Sequence, residues 1–396
     1  MNRTGPVPLN KRIAILGSTG SIGSSALEVI EHLGPPYRVS AISGHQSSER
    51  LAAQLVRHRP AALALSGPPS QTLRAAAAAA GARLYEGREG LVQMVQRDDV
   101  DVVLAAIVGA AGLHAVLAAV QAGKQLALAN KEALVVAGCL LVPEARRRGV
   151  NIVPVDSEHS AVFQAMACGR LEEVRRVILT ASGGPFRTTP LAELEHVSVE
   201  DALKHPTWRM GRKITIDSAT MFNKALEIVE ACWLFDLPPE KVEVVIHPES
   251  IVHSMVEFVD GSIMAQLSPP DMRTPIQYAL TWPERRAGLA RKLDLSVALG
   301  LHFEPPDPQR FRAIALAYEA VRRGGTMAAV MNAANEAAVA AFTSGKIRFT
   351  EIPRLVESTM REHQVQTSPT LDDLLAADRW ARRHVDGLIE CAAAAR

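Results

Sequence analysis

Short apolar runs and amphipathic stretches exchange places regularly along the first part of the chain. Arg12–Leu16 is a β-prone run, followed by glycines and a helix-like stretch over Ser24–His32. β-prone Tyr37–Ile42 and helical Glu49–His58 come next, and further apolar runs follow at Ala61–Leu65, Val102–Val108, Leu126–Ala129 and Ile152–Val155. Continuously apolar strands alternating with helices predict a parallel sheet covered on both faces. Ala75–Ala80 reads as surface helix, because alanine is a strong helix former. From about Asn151 the texture changes. Strands at Val177–Thr180, Val242–Ile246 and Ser262–Leu267 are separated by long polar loops dense in Ser, Gly, Pro and His, which predicts an α+β domain with its chemistry on loops. A Pro-rich stretch around Pro305, Pro306 and Pro308 reads as a connector. Phe311–Val321, Met327–Ala341, Ile352–His363 and Leu371–Ala394 then read as helices.

Composition narrows the function classes. The 396 residues carry 43 Lys+Arg against 42 Asp+Glu, a net charge of +1 that argues against a nucleic-acid binder. With 48% hydrophobic residues the chain can bury cores, and with 4% aromatic those cores must be built from Leu, Val, Ile and Ala. Cys139, Cys168, Cys232 and Cys391 form neither a C-x-x-C pair nor a disulfide framework, which points to a reducing compartment. Met1–Lys11 is polar and lacks the apolar stretch of a signal peptide. Val102–Val120 is apolar except for His114, but Gly109 and Gly112 break it, so it reads as strand, turn and short helix rather than a lipid span. The expectation is a soluble, cytoplasmic protein with no membrane or nucleic-acid partner.

Four clusters bear chemistry. Gly17-Ser18-Thr19-Gly20-Ser21-Ile22-Gly23 lies between the first strand and first helix, where glycines admit a pyrophosphate and the helix start offers N–H donors. The bland alternative is a tight βα turn. After the second strand, Gly44-His45-Gln46-Ser47-Ser48 contains no acid to bind ribose hydroxyls, which favours NADP(H) over NAD. Asp156 and Glu158, two apart in an extended chain, would face one side and could share Mg²⁺ or Mn²⁺, or one of them could cap the next helix. Asp217–Glu227 opens an amphipathic helix with an apolar stripe of Phe222, Ala225, Leu226, Val229 and Trp233. Asn223, Lys224 and Glu227 on its other face are either a solvated ion pair or, with Ser218, a phosphate and metal site. Two loops add to these. Ser182-Gly183-Gly184 resembles an anion-binding turn, although turn chemistry alone explains it, and His205–Lys213 sets Trp208 and Met210 among cations, either as a lid or with Trp208 anchoring the loop to the core. His247 and His253 read as structural. The expected fold is thus α/β, with a Rossmann-like parallel-sheet domain at 1–150, an α+β domain at 151–290, a linker at 291–310 and a helical domain at 311–396.

These motifs, with Leu-Ala-Asn-Lys-Glu-Ala-Leu at 128–134, Pro-Asp-Met-Arg-Thr-Pro-Ile at 270–276 and Asn-Ala-Ala-Asn-Glu at 332–336, resemble the 1-deoxy-D-xylulose 5-phosphate reductoisomerase family in order over nearly the whole chain. The resemblance implies that NADPH is held by Thr19, Gly20, Ser21, Ile22, Gly44, His45, Gln46, Asn130, Glu132 and Gly211, with Met210 near the nicotinamide. It implies a divalent metal (Mg²⁺ or Mn²⁺, with Co²⁺ a further candidate) on Asp156, Glu158 and Glu227. The sugar phosphate would meet Lys131, Ser157, Glu158, Ser182, His205, Ser218, Asn223, Lys224 and Glu227, of which Lys131, Glu158 and His205 would serve catalysis. Trp208 would cap the site, and the enzyme would be a homodimer. This chain departs from the family in carrying His45 and Gln46 where Lys or Arg and then Asn are common. A plain sugar-phosphate dehydrogenase or a nucleotide-sensing regulator would share the glycine turn but has no use for three convergent carboxylates.

Overall fold

The computed structural model describes residues 11–208 and 210–394, and these form two sheets in two compact units. Among the described residues, the first unit comprises the chain up to Ala133 with Leu141–Ser160 and Asp271–Arg291; the second comprises Leu134–Leu140, Ala161–Pro270 and the chain from Lys292 onward.

In the first unit, strands β1 (Lys11–Leu16), β2 (Tyr37–Gly44), β3 (Ala62–Leu65), β4 (Arg83–Glu86), β5 (Val102–Ala105), β6 (Gln125–Leu128) and β7 (Ile152–Pro154) pair in the order β4-β3-β2-β1-β5-β6-β7. All pairings are parallel. Ile13, Ala14, Ile15 and Leu16 are fully buried, as are Leu63, Ala64 and Leu65, which is why these strands read as unbroken apolar runs. Strand order reverses between β1 and β5, and ligands of open α/β sheets bind in the crevice beyond such a switch.

In the second unit, β8 (Val174–Ala181), β9 (Val242–Ile246), β10 (Val252–Phe258) and β11 (Ile263–Leu267) form a mixed sheet ordered β11-β10-β8-β9. β8 and β9 are parallel, whereas β10 runs antiparallel to both β8 and β11. The helices Arg312–Arg323, Met327–Thr343, Glu351–Glu362 and Leu371–Ala394 match the expected C-terminal helices closely.

The expected borders differ from these units in three ways. β7 completes the parallel sheet although it lies beyond residue 150. Residues 271–291 return to the first unit, where Lys11 Nζ donates to the carbonyls of Leu280 and Trp282, each at 2.9 Å. The C-terminal helices share one unit with the second sheet instead of standing apart.

Candidate active site

The glycine turn is built by backbone proximity. The helix Ser21–Leu33 starts at Gly20, with no side-chain cap and no acidic residue in its first turn. Its first N–H groups are therefore left to an outside acceptor, and an anion suits them. A Cβ at Gly23 would lie 2.3 Å from the Gly17 carbonyl oxygen and 2.4 Å from Ser18 Cα, so only glycine lets the helix start this close to the turn. Gly44 abuts the same place, with the Thr19 side chain 3.4 Å from where its Cβ would stand. His45 Nδ1 is 2.8 Å from Ser66 Oγ. The turn is braced by Gln54, which accepts from Ser18 Oγ at 2.6 Å and donates to the Ser18 carbonyl at 2.9 Å. The guanidinium of Arg50 donates to the Thr19 carbonyl at 3.4 Å. Sequence reasoning passed over both residues. The visible signal was a cation and an amide on the helix Ser48–His58 that follows the loop after β2. Thr19, Gly20, Ser21, Ile22, Gly44 and His45 thus meet around one turn, and Gln46 follows directly. These residues fit a dinucleotide phosphate.

Asn130, Lys131 and Glu132 follow β6 and are buried. Asn130 donates to the carbonyls of Ile107 and Gly109 and accepts from Ala133 N, in the first turn of the helix Glu132–Arg148, at 2.9 Å. Lys131 Nζ reaches Asp156 Oδ2 at 2.6 Å, and His159 Nδ1 is 3.6 Å from the same oxygen. Burial alone would raise the Asp156 pKa, but the Lys131 charge, with His159, holds the carboxyl far below the usual carboxylate range. Contrary to the extended reading of Asp156 and Glu158, the chain turns helical at once. The carbonyl of Asp156 accepts from Ser160 N at 2.8 Å, and Ser157–Ala165 is helix. Glu158 sits in the first turn and accepts from Ser157 Oγ at 2.5 Å. Carboxylate oxygens of this kind fit a hard divalent cation.

In the second unit, Asp217–Glu227 is not one helix start. The helices Arg212–Thr220 and Phe222–Phe235 meet at Met221, whose φ is +63°. Gly211 caps the first of them. Nor is the face bearing Glu227 solvated, since Lys224 and Glu227 are as buried as Phe222, Ala225, Leu226 and Val229, while Trp233 is only half-buried. Asn223 Nδ2 donates to Glu227 Oε1 at 2.5 Å, and Lys224 Nζ pairs with Glu227 Oε2. The Ser182 turn lies flush on the helix Arg212–Thr220. Gly184 has a φ of +68°, and a Cβ there would be 2.8 Å from the Ser218 carbonyl oxygen. Between the two, His205 Nε2 lies 3.1 Å from both Ser182 Oγ and Ser218 Oγ. Two hydroxyls, an imidazole and a glycine turn in one place are a set of groups that suits a phosphate. Trp208 and Met210 follow, half-buried, with the Trp208 ring 6.2 Å from that of His253, and Arg209 lies outside the described residues. His247 is structural as expected, its Nε2 accepting from Ile251 N and Val252 N. Asp217 went unassigned in the sequence. It is buried, accepts from Asn335 Nδ2 at 2.8 Å and pairs with Lys213 at 2.8 Å. Asn332 and Asn335 in an alanine-rich helix were the available signal, because buried amides need partners.

Among the described residues no helix is long and apolar enough to cross a membrane. Family models described as 1-deoxy-D-xylulose 5-phosphate reductoisomerase, its C-terminal domain, and DXP reductoisomerase C-terminal domain match residues 13–138, 152–235 and 267–384. The chain is 51% identical over 373 residues to the 1-deoxy-D-xylulose 5-phosphate reductoisomerase of Pelodictyon phaeoclathratiforme, covering 94% of this chain and 98% of that one. The solved structure of the Zymomonas mobilis reductoisomerase in complex with NADPH superposes with a TM-score of 0.91 at 45% identity, covering 96% and 99% of the two chains. A DOX-P reductoisomerase solved with NADPH, fosmidomycin and magnesium also gives 0.91, at 39% identity over 96% and 98%.

Proposed function

The chain belongs to the 1-deoxy-D-xylulose 5-phosphate reductoisomerase family, and from that premise we propose which of its residues do the work. It is an NADPH- and divalent-metal-dependent oxidoreductase that rearranges and reduces 1-deoxy-D-xylulose 5-phosphate to 2-C-methyl-D-erythritol 4-phosphate in non-mevalonate isoprenoid biosynthesis. When bound, NADPH supplies the hydride and Mg²⁺ polarises the substrate's neighbouring oxygens.

The protein's own parts divide the task. The turn Thr19–Ile22 with Gly44, His45 and Gln46 binds the dinucleotide, supported by the uncapped helix start at Gly20. Asn130, Glu132, Met210 and Gly211 belong to the same cofactor site in this reading. Asp156, Glu158 and Glu227 are the metal carboxylates, with Mn²⁺ an alternative to Mg²⁺. Ser182, Ser218, Asn223 and Lys224 hold the substrate phosphate with His205, so that binding energy far from the reacting carbons orients them. Lys131, Ser157 and Glu158 face the reacting end, where Lys131 stabilises developing negative charge. Trp208 excludes water from above.

The observation that carries this reading is Glu227, a fully buried carboxylate bonded to Asn223 and Lys224 on the helix after the one bearing Ser218. The direct test mixes the protein with 1-deoxy-D-xylulose 5-phosphate, NADPH and Mg²⁺ or Mn²⁺ and follows the nicotinamide absorbance. Absence of metal-dependent NADPH loss rejects the reading.

The enzyme is also read as a cytoplasmic homodimer. Four free cysteines suit a reducing compartment. The edge strand β11 exposes Ile263, Met264 and Leu267, and the following chain exposes Leu295, Val297, Leu299 and Phe303. A monomer mass by light scattering at micromolar concentration contradicts the dimer.

A further inference from the structure

We infer that His205 has two jobs divided between its ring nitrogens. Nδ1 clamps the backbone turn that carries Trp208, and this fixes the proton on Nε2, aimed into the phosphate pocket. The inference deepens the assignment of Ser182 and Ser218 to substrate phosphate and rests on it.

The geometry leaves one consistent protonation pattern. His205 Nδ1 lies 3.2 Å from Thr207 N and 2.9 Å from Trp208 N. Backbone N–H groups only donate, so Nδ1 must accept. A neutral imidazole with Nδ1 as acceptor carries its proton on Nε2. That nitrogen is 3.1 Å from Ser182 Oγ and 3.1 Å from Ser218 Oγ, and hydroxyls can accept from it. The other tautomer would set an N–H against two N–H groups while aiming a lone pair at the pocket.

Two consequences follow. The pocket receives an imidazole donor already oriented before any ligand arrives, so little ordering is left for an incoming phosphate to impose. The turn next to the indole is tied to the same ring, and Trp208 packs beside His253 in the same unit. Anything that binds Nε2–H and orders the ring therefore also orders the Thr207 and Trp208 amides, and the coupling is reciprocal. His205 is in this sense a positioning residue for Trp208 as well as a phosphate contact.

Two half-replacements separate the jobs. His205→Asn keeps an acceptor oxygen close to the Nδ1 position and loses the distal donor. His205→Gln keeps an amide N–H near the Nε2 position and loses the proximal acceptor. Hydrogen exchange of the peptide containing Thr207 and Trp208 is measured on the full chain without ligand, and inorganic phosphate affinity is measured by calorimetry. The Asn variant should keep wild-type protection and bind phosphate about tenfold more weakly. The Gln variant should exchange those two amides about tenfold faster or more, yet bind phosphate within about threefold of wild type. Equal protection in all three proteins, or both properties lost together in both variants, overturns the inference. Protection that divides as described while phosphate affinity is unchanged in both variants overturns the phosphate assignment instead. In histidine-labelled protein, a long-range proton–nitrogen correlation showing the proton on Nδ1 also refutes it.

Discussion

Replacing Gly23 by alanine should abolish tight NADPH binding without unfolding the protein. A methyl group normally helps a helix, and Gly→Ala inside one gains up to about 1 kcal/mol. Here the new Cβ would stand 2.3 Å from the Gly17 carbonyl oxygen and 2.4 Å from Ser18 Cα. Both are backbone atoms with no rotamer to escape through, so the turn must withdraw by at least about 0.7 Å to reach the 3.0 Å that such contacts require. The Gly17 carbonyl now accepts from Gly20 N at 3.1 Å, and moving it weakens that bond. Losing the bond costs about 1 kcal/mol and overpacking costs about 1–3 kcal/mol, so the clash outweighs the helix gain. Binding suffers more, because each hydrogen bond from the displaced turn to a charged phosphate is worth about 1.5–3 kcal/mol. One or two such losses predict a Kd for NADPH raised about tenfold to ten-thousandfold. Cofactor fluorescence on titration measures it, and a thermal melt checks the fold. Inorganic phosphate affinity, assigned under the proposed function to Ser182 and Ser218, should not change. A Gly23→Ala protein that binds NADPH within about threefold of wild type would show that the turn is only a tight connection.

Glu227→Gln should reduce turnover by orders of magnitude while NADPH Kd stays unchanged, and chelation of divalent metal in the wild type should do the same; equal loss of both properties contradicts the metal assignment. Arg50→Ala should weaken NADPH about tenfold and leave NADH unaffected if its guanidinium, which reaches the Thr19 carbonyl beside the glycine turn, serves the 2′-phosphate; equal effects on both cofactors exclude that role. Burial pushes the Lys11 ammonium down from 10.5 to about 8, so between those pH values the unfolded chain holds a proton the folded one has shed, and stability should rise with pH across that window by at most about 3 kcal/mol. Denaturant midpoints at successive pH values should show that rise, and its persistence in Lys11→Met refutes the cause. Lys224→Met should destabilise the metal-free protein, by up to about 3–5 kcal/mol for a buried ion pair, and Mg²⁺ should raise its Tm more than that of the wild type; a smaller Mg²⁺ shift argues against an ion at Glu227.

The parts of this fold that could be read from sequence are those whose causes are local. The glycine turn is contiguous with the strand before it and the helix after it, so spacing alone located it. Met221 is the opposite case. Nothing at that position signals a break, for it is not Gly, Asn or Pro, and the residues on either side favour one continuous helix. What holds its φ at +63° is burial against Ala181, Ile246 and Phe311, residues far along the chain. β10 was missed for a related reason. Its Val-His-Ser-Met-Val-Glu-Phe run carries His253 and Glu257, which resemble loop chemistry until Arg175 and Arg176 on β8 are seen to pair with Glu257.

The same distinction explains why Glu227 was ambiguous and why its setting matters. On a helical wheel Lys224 and Glu227 look like an exposed pair worth a few tenths of a kcal/mol. The helix Phe222–Phe235 is instead buried on almost every side, so the carboxylate cannot rely on water and needs charge and hydrogen bonds built into the protein. Lys224 and Asn223 supply them here, as Lys131 supplies them to Asp156 in the first unit. Each lysine thereby balances the charge of a carboxylate that the proposed function assigns to the metal. On that assignment Asp156 and Glu227 would hold a divalent cation that would supply the same neutralisation, and the ammonium groups of Lys224 and Lys131 would then be available to the substrate. Metal loading and substrate binding should therefore be cooperative, each favouring the arrangement of charges that the other requires.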